Sequence, residues 1–406
     1  MINTNTKQLK FPENFLWGAS TSAHQIEGGL CNDWSEWEKS ESRIKNYESR
    51  GLDLNDYISG QACDSFNRFE DDLECLKYLN CNAYRFSIDW SRVEPGPGKF
   101  DDRAIEYYTY LAKKLKENNI EPFVTLWHWP LPLWVRDMGG WTNKQTIELF
   151  NRFAEKMVGV LRGDVKYWIT LNEPYIYSLD SYLRGLWPPQ KRNPFSYFKV
   201  NKNLTEAHNR VYDTIKKTAL ESYVGIANNL SYFEAKDNKF VNKVIKKILD
   251  KHWNYNLFNK IKNKLDFIGL NYYFHNRIDY GLNKNENKII NDLGWELYPS
   301  GIYNLLLELK KYNKPIYITE HGLADEHDKQ RAWYISESLK YISAAMQDSA
   351  DVRGYFHWSL LDNFEWAHGF GPKFGLYSID RKTFDRKPRP SVEAYKKICQ
   401  TNSIEI

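Results

Sequence analysis

The 406-residue sequence is short of cysteine, and the five it has (Cys31, Cys63, Cys75, Cys81 and Cys399) form an odd, scattered set without a Cys-x-x-Cys pair. That excludes a disulfide framework and a structural zinc site. Apolar runs are short as well, none approaching the roughly 18 residues that cross a bilayer. The first residues, Met1–Lys7, are polar where a secretion signal needs an apolar stretch, so the expectation is a cytoplasmic protein without a membrane partner. Charge of one sign is missing too: 56 Lys+Arg face 52 Asp+Glu, a net +4 with no dominant basic stripe, which argues against a nucleic-acid partner. No Pro/Ser/Gly-rich linker, internal repeat or low-complexity tract divides the chain. With 42% hydrophobic and 27% charged residues the composition excludes disorder.

Aromatic residues are abundant: 15 Trp, 28 Tyr and 21 Phe. Core packing accounts for most of them, and flat rings also suit stacking on sugars or bases. Eight short apolar runs read as strands: Phe15–Gly18, Ala83–Ser87, Pro122–Leu126, Tyr167–Leu171, Val224–Ala227, Phe267–Leu270, Ile316–Thr319 and Gly354–Trp358. They are continuously apolar, as in parallel strands buried on both faces. Helical spacing runs over Ser65–Leu79, Ala104–Leu115, Thr146–Leu161, Leu305–Leu309, Trp333–Met346 and Val392–Ile398. The alternation predicts an α/β fold, a single (β/α)8 TIM barrel spanning residues 1–406. A doubly wound sheet is the alternative, but no glycine-rich phosphate turn follows the first strand. The Lys- and Asn-rich stretch from Lys236 to Lys264 reads as a solvated helical or loop face.

In such a barrel the chemistry sits just after the strands. His24-Gln25-Ile26-Glu27-Gly28 follows the first strand, His128 between two tryptophans the third, Asn172-Glu173-Pro174 the fourth and Asn271-Tyr272-Tyr273 the sixth. Glu320-His321-Gly322 follows the seventh, and Trp358 leads to Asp362-Asn363-Phe364-Glu365-Trp366 after the eighth. Two carboxylates facing each other among indoles and amides are equipment for cleaving a glycosidic bond. Either glutamate alone is as well explained by an ion pair or a helix cap. The same holds for His128 and Trp358 as core residues, whereas Arg85, inside a strand, needs a buried counter-charge in any fold. His321, His357 and His368 lack the spacing of metal ligands.

Thr170-Leu171-Asn172-Glu173-Pro174 and Ile318-Thr319-Glu320-His321-Gly322 resemble the two signature motifs of glycoside hydrolase family 1, the β-glucosidase family. Further matching segments, Phe15–Gly18, His24–Gly28, Tyr84–Pro95, Asp266–Tyr273 and Tyr355–Trp366 continuing into Lys373-Phe374-Gly375-Leu376, carry the resemblance over nearly the whole chain. It implies Glu320 as nucleophile and Glu173 as general acid/base of a retaining β-glycosidase. Asn172 would hold the sugar 2-hydroxyl, and Gln25, His128, Glu365 and Trp366 the other hydroxyls. Trp358 would form the stacking floor, and Arg85 and Tyr273 would contact and orient the nucleophile, with Tyr273 also touching substrate. No metal and no cofactor are implied. Substrates would be small β-glycosides or oligosaccharides with terminal glucosyl, galactosyl or fucosyl units. Glu365 disfavours 6-phosphorylated sugars, and the presence of Glu173 favours O-glycosides over thioglycosides. Transglycosylation would accompany hydrolysis.

On physical grounds Glu320, beside Arg85, should stay ionised, while its charge should raise the pKa of Glu173. The chain departs from the family pattern at His321, usually Asn, and at Pro130, usually Asp. It is also short between Ser231 and Lys264, which predicts an open, mobile aglycone side with weak leaving-group selectivity. The alternative function is a catalytically silent sugar-binding barrel, disfavoured because both glutamates are present.

Overall fold

The computed structural model describes residues 8–405; the polar segment Met1–Lys7 lies outside the described residues. Eight parallel strands close into a barrel in chain order: β1 (Leu16–Ser20), β2 (Ala83–Ser87), β3 (Glu121–Thr125), β4 (Tyr167–Asn172), β5 (Tyr223–Ala235), β6 (Phe267–Ile278), β7 (Ile316–His321) and β8 (Val352–Trp358), with β8 returning to β1. Each sequence-predicted strand is present. The helices that follow them are α1 (Ser65–Tyr78), α2 (Asp102–Glu117), α3 (Gln145–Leu161), α4 (Pro194–Thr218), α5 (Phe240–Leu249), α6 (Gly301–Leu309), α7 (Arg331–Gln347) and α8 (Ser391–Thr401).

Local chemistry starts and stops these helices. Asp101 caps α2 by accepting from the Ala104 amide, and Ala104, Ile105, Tyr108, Leu111, Ala112 and Leu115 form its buried stripe. Asn193 caps α4 in the same way, with Pro194 at the first helical position, where a missing N–H costs nothing. The sequence reading omits α4, whose buried stripe Tyr197, Val200, Leu204, Ala207, Val211 and Ile215 is interleaved with polar residues that are also buried. Asn201 accepts from Ser178 Oγ (2.5 Å), Asn203 donates to the Trp141 carbonyl (2.8 Å), and His208 is held between Thr170 Oγ1 and the Lys264 carbonyl.

The bottom of the barrel is plugged by Ala83, Phe123, Ile169, Ala227, Phe267, Tyr317 and Phe356. Phe123 lies at its centre, with ring centroids 4.2 Å from Tyr167, 4.8 Å from Phe356 and 5.1 Å from Tyr317. At the opposite end the ladder slips in register between Ile169 and Asn172, between Leu270 and Asn271 and between Ile318 and His321. Such irregularities re-aim side chains at the rim of a barrel, and here they fall on Asn172, Asn271 and Glu320.

Beyond the barrel, β5 and β6 stay paired as far as Ala235 and Ile278. The segment from Ser231 to Lys264 is therefore the end of a strand, helix α5, a wide turn at Asp250–Tyr255 and a short helix at Asn256–Ile261, in keeping with the helical face expected for Lys236–Lys264. Asn254 ties it to the strand: its Oδ1 accepts from the Ser231 amide (3.1 Å) and its Nδ2 donates to the Ser231 carbonyl (2.9 Å). Among the described residues no helix is long and apolar enough to cross a membrane.

Candidate active site

A cavity of about 1140 Å³ opens at the C-terminal ends of the strands; its wall includes His128, Asn172, Glu173, Tyr273, Glu320, Trp358, Glu365 and Trp366. Gln25 and Arg85 stand one layer behind that wall.

Glu320, at the end of β7, is buried. One of its oxygens pairs with Arg85 Nη1, and Oε2 accepts from the Tyr273 hydroxyl at 2.9 Å. Glu173 leaves β4 with a backbone φ of +42°, a left-handed conformation that costs a side-chain-bearing residue about 1–3 kcal/mol. Pro174 then begins a short helix. The strain is held by the Glu173 amide donating to the Ala227 carbonyl (2.8 Å). Glu173 Oε1 accepts from Asn271 Nδ2 (2.8 Å) and Asn229 Nδ2 (3.2 Å). The Asn271 amide nitrogen also donates to Asn172 Oδ1 (3.3 Å), and its Oδ1 accepts from Thr319 Oγ1 (2.6 Å), which fixes its orientation. Gly322 is required just beyond: a Cβ there would lie 1.8 Å from the Trp358 carbonyl oxygen, so only glycine lets β7 leave the barrel along this path.

A family model, Glycosyl hydrolase family 1, matches residues 7–260 and 256–404. The chain belongs to that family. Beta-glucosidase A of Thermotoga maritima is 32% identical over 450 aligned positions, covering 98% of this chain and 99% of the relative. The alignment is longer than the 406 residues here, so the relative has residues that this chain lacks. The Thermotoga maritima family 1 β-glucosidase structure superposes with a TM-score of 0.91 at 30% identity, covering 99% of this chain and 100% of the other. A β-glycosidase from Pyrococcus horikoshii gives 0.89 at 35%, covering 98% and 97%. The family 1 chain is thus an O-glycosyl hydrolase of the retaining β-glycosidase type.

Burial raises the pKa of Glu173 to about 8, and the neighbouring Glu320 charge adds to the rise. For Glu320 the direction expected from Arg85 alone is corrected: removal from water pushes its pKa up, and Arg85, with hydrogen bonds from Arg85, Tyr273 and Asn271, pulls against that without reversing it. Glu365 is likewise raised to about 8 by burial and by Glu320.

One hydrogen-bond chain fixes the protons of Asn172 and His128 in this family 1 site. Arg85 Nη2 donates to Asn172 Oδ1 (2.6 Å), which turns Asn172 Nδ2 towards His128 Nε2 (2.9 Å). His128 is held neutral by burial, so Nε2 accepts and Nδ1 carries the hydrogen. That Nδ1 is buried without a partner, a donor left for a ligand. Trp358 and Trp366 lie nearly parallel to the His128 ring, at 6.0 and 5.9 Å. Gln25 supports Glu365 from behind: its Nε2 is 3.3 Å from Glu365 Oε2 and 2.9 Å from the Phe364 carbonyl, while Ser22 Oγ donates to its Oε1 (2.7 Å).

His321 turns away from the cavity, buried with Nδ1 on the Tyr355 hydroxyl (2.9 Å) and its ring 4.6 Å from Tyr334. Pro130 contributes its carbonyl, which accepts from Trp127 Nε1 at 2.9 Å. The sequence reading gave no role to Asn271 and missed Asn229. Asn271 carries the signal of a polar residue ending an apolar strand; Asn229 lies two residues past the point where the fifth apolar run stops.

Proposed function

We propose that this family 1 enzyme hydrolyses terminal, non-reducing β-D-glucosyl residues of non-phosphorylated O-glycosides by double displacement, with Glu320 as nucleophile and Glu173 as general acid/base. The observation that carries the reading is a pair of buried carboxyl groups in one cavity wall, Glu320 held by Arg85 and Tyr273 and Glu173 by Asn271 and Asn229, with the pKa of Glu173 pushed up to about 8.

Below that pH Glu173 holds a proton and can deliver it to the glycosidic oxygen as Glu320 attacks the anomeric carbon. The glycosyl–Glu320 ester removes the negative charge that added to the effect of burial in keeping Glu173 protonated, so Glu173 can then take a proton from the incoming water. Arg85 and Tyr273 hold Glu320 in line before attack and stabilise the carboxylate as it leaves. Asn172 binds the 2-hydroxyl, and His128, Glu365 and Trp366 bind the others, with Gln25 acting alongside Glu365. Trp358 and Tyr273 bound the ring.

No cation stands among the neighbours that shift Glu365, so nothing there would neutralise a 6-phosphate. Galactosides belong to the same proposal: a Thermotoga maritima relative has been solved with glucoimidazole and with a galacto-hydroximolactam, and a Pyrococcus woesei relative is a β-galactosidase. Fucosides and transfer to acceptor sugars complete the range. The chain is read as one catalytic domain over 1–406, acting in the cytoplasm on small glycosides, where a reducing milieu suits unpaired cysteines.

The test is a 2-fluoro-2-deoxy-β-glucoside with a good leaving group. Peptide mass spectrometry should find the fluoroglucosyl ester on Glu320, with none formed in Glu320→Ala. An adduct on another residue overturns the assignment.

A further inference from the structure

One cation in the cavity wall has no partner. Arg43 is 8% exposed, and its Nε and Nη2 are buried without a hydrogen bond; no carboxylate among the described residues pairs with it. The guanidinium lies 3.8 Å from the Trp37 ring and 4.7 Å from the Tyr47 ring, and both rings also line the cavity. Stacking on an indole stabilises an arginine but leaves its N–H groups unmet. Buried charges are otherwise found paired, because an uncompensated one costs several kcal/mol.

Glu38, the carboxylate that acts on Arg43, and Asp180 in the same cavity wall are already engaged. Glu38 accepts from His24 Nε2 (2.8 Å) and from the amide and hydroxyl of Ser59 (2.8 and 2.7 Å). Asp180 accepts from Arg184 Nη1 at 3.0 Å. A second cation, Arg192, exposed and without a carboxylate partner among the described residues, lines the same cavity. Its stem crosses Gly185, where a Cβ would sit 2.8 Å from Arg192 Cγ, and Gly185 has φ +67°. Trp34 connects the two sides, its ring 5.3 Å from Trp37 and 5.4 Å from Trp187. This wall is built from the β1–α1 and β4–α4 connections, apart from the strand ends that hold Glu173 and Glu320.

We propose that Arg43, aided by Arg192, is a recognition site for a carboxylate on the leaving-group half of the substrate, with the ring of that half lying against Trp37 and Trp187. The inference rests on the glycosidase reading above and names the leaving-group class within it. The carboxylate can belong to an aryl aglycone or to an acidic sugar unit.

The test compares matched substrates: 4-(carboxymethyl)phenyl β-glucoside against its primary amide, and glucosyl-β-1,4-glucuronic acid against cellobiose. In the wild type kcat/KM should favour each acid over its neutral mate by about tenfold or more, the worth of one charge-assisted hydrogen bond. Arg43→Met keeps the apolar stem and removes the charge, so both ratios should collapse towards one, while Arg43→Lys should keep part of the preference. If only one pair shows the preference, that pair identifies the source of the carboxylate. Equal rates within both wild-type pairs, or a preference that survives Arg43→Met in a variant that melts like the wild type, overturns the proposal. Should none of the four be cleaved, the glycosidase reading fails, and calorimetric titration with 4-hydroxyphenylacetate still decides the site: binding must weaken about tenfold in Arg43→Met, and no difference overturns it.

Discussion

The floor and the mouth of the barrel are built by the same strands a few residues apart. On β2, β3 and β6 the inward stripe begins with Ala83, Phe123 and Phe267 and continues to Arg85, Thr125 and Asn271; on β4 and β7, Ile169 and Tyr317 give way to Asn172 and Glu320. The lower layer is closed by aromatic packing, with the Tyr317 hydroxyl the one polar side-chain group among its buried residues. The upper layer is a hydrogen-bonded network in which Arg85 alone serves Thr125 (3.2 Å), Asn172 (2.6 Å) and Glu320. Stability and chemistry are therefore separable along one strand: changes low in the barrel should cost folding, and changes high in it should cost turnover.

Glu320→Ala tests that separation most severely. Hydrolysis of an aryl β-glucoside should fall at least about a thousandfold, as when a covalent nucleophile is removed. Glu320→Ala also leaves the buried Arg85 without its counter-charge, so its melting temperature should fall, whereas Glu320→Gln, which keeps an acceptor for Arg85 and Tyr273, should lose as much turnover and melt close to the wild type; a collapse of Glu320→Gln would show that the mouth also supports the fold.

Glu173→Gln comes next, with a loss of about 10²–10⁴-fold on poor leaving groups and a much smaller loss on activated ones, which need no proton. The wild-type rate should decline as pH rises through about 8, where Glu173 loses its proton. The same group links pH to stability. Its folded pKa, about 8, lies above the ordinary 4.5, so its contribution is complete below 4.5 and is lost as pH rises through 8. Denaturant melts of Glu173→Gln should consequently gain on the wild type at pH 9 and lose that gain near pH 4.

Phe123→Ala reverses the pattern at the floor. It should cost about 3–5 kcal/mol in urea unfolding while activity per folded molecule stays within about twofold of the wild type. The smallest effect is expected from Asn229→Ala. Removing a donor to the Glu173 carboxylate favours the protonated form, so the alkaline limb of the rate profile should move upward.

What could be read without coordinates follows the same division. Buried parallel strands announce themselves as apolar runs, and the polar residue ending each run marks the mouth; Glu173, Glu320, His128 and Asn172 were legible for that reason. Helix α4 was not picked out although Tyr197, Val200, Leu204, Ala207, Val211 and Ile215 keep a helical period, since Asn201, Asn203 and His208 are buried beside that stripe and dilute its contrast with the polar face. The β5–β6 extension past Leu230 was missed because it leaves the barrel, where residues need not be apolar, and Asn229 was lost with it. The direction of the Glu320 shift depends on how completely water is excluded, which no spacing of residues encodes.

Arg331, at the start of α7, has a further consequence. Its guanidinium is fully buried and donates to the carbonyls of Leu323 (2.9 Å), Phe374 (2.9 Å), Asp325 (2.8 Å) and Lys373 (3.1 Å), and to Asp328. It clasps the chain leaving Glu320 to the chain that follows Trp366. Four of its five acceptors are peptide dipoles sealed from counterions, so added salt has little there to screen. The spacing of these two connections should persist at ionic strengths that dissolve the ion pairs on the protein's surface.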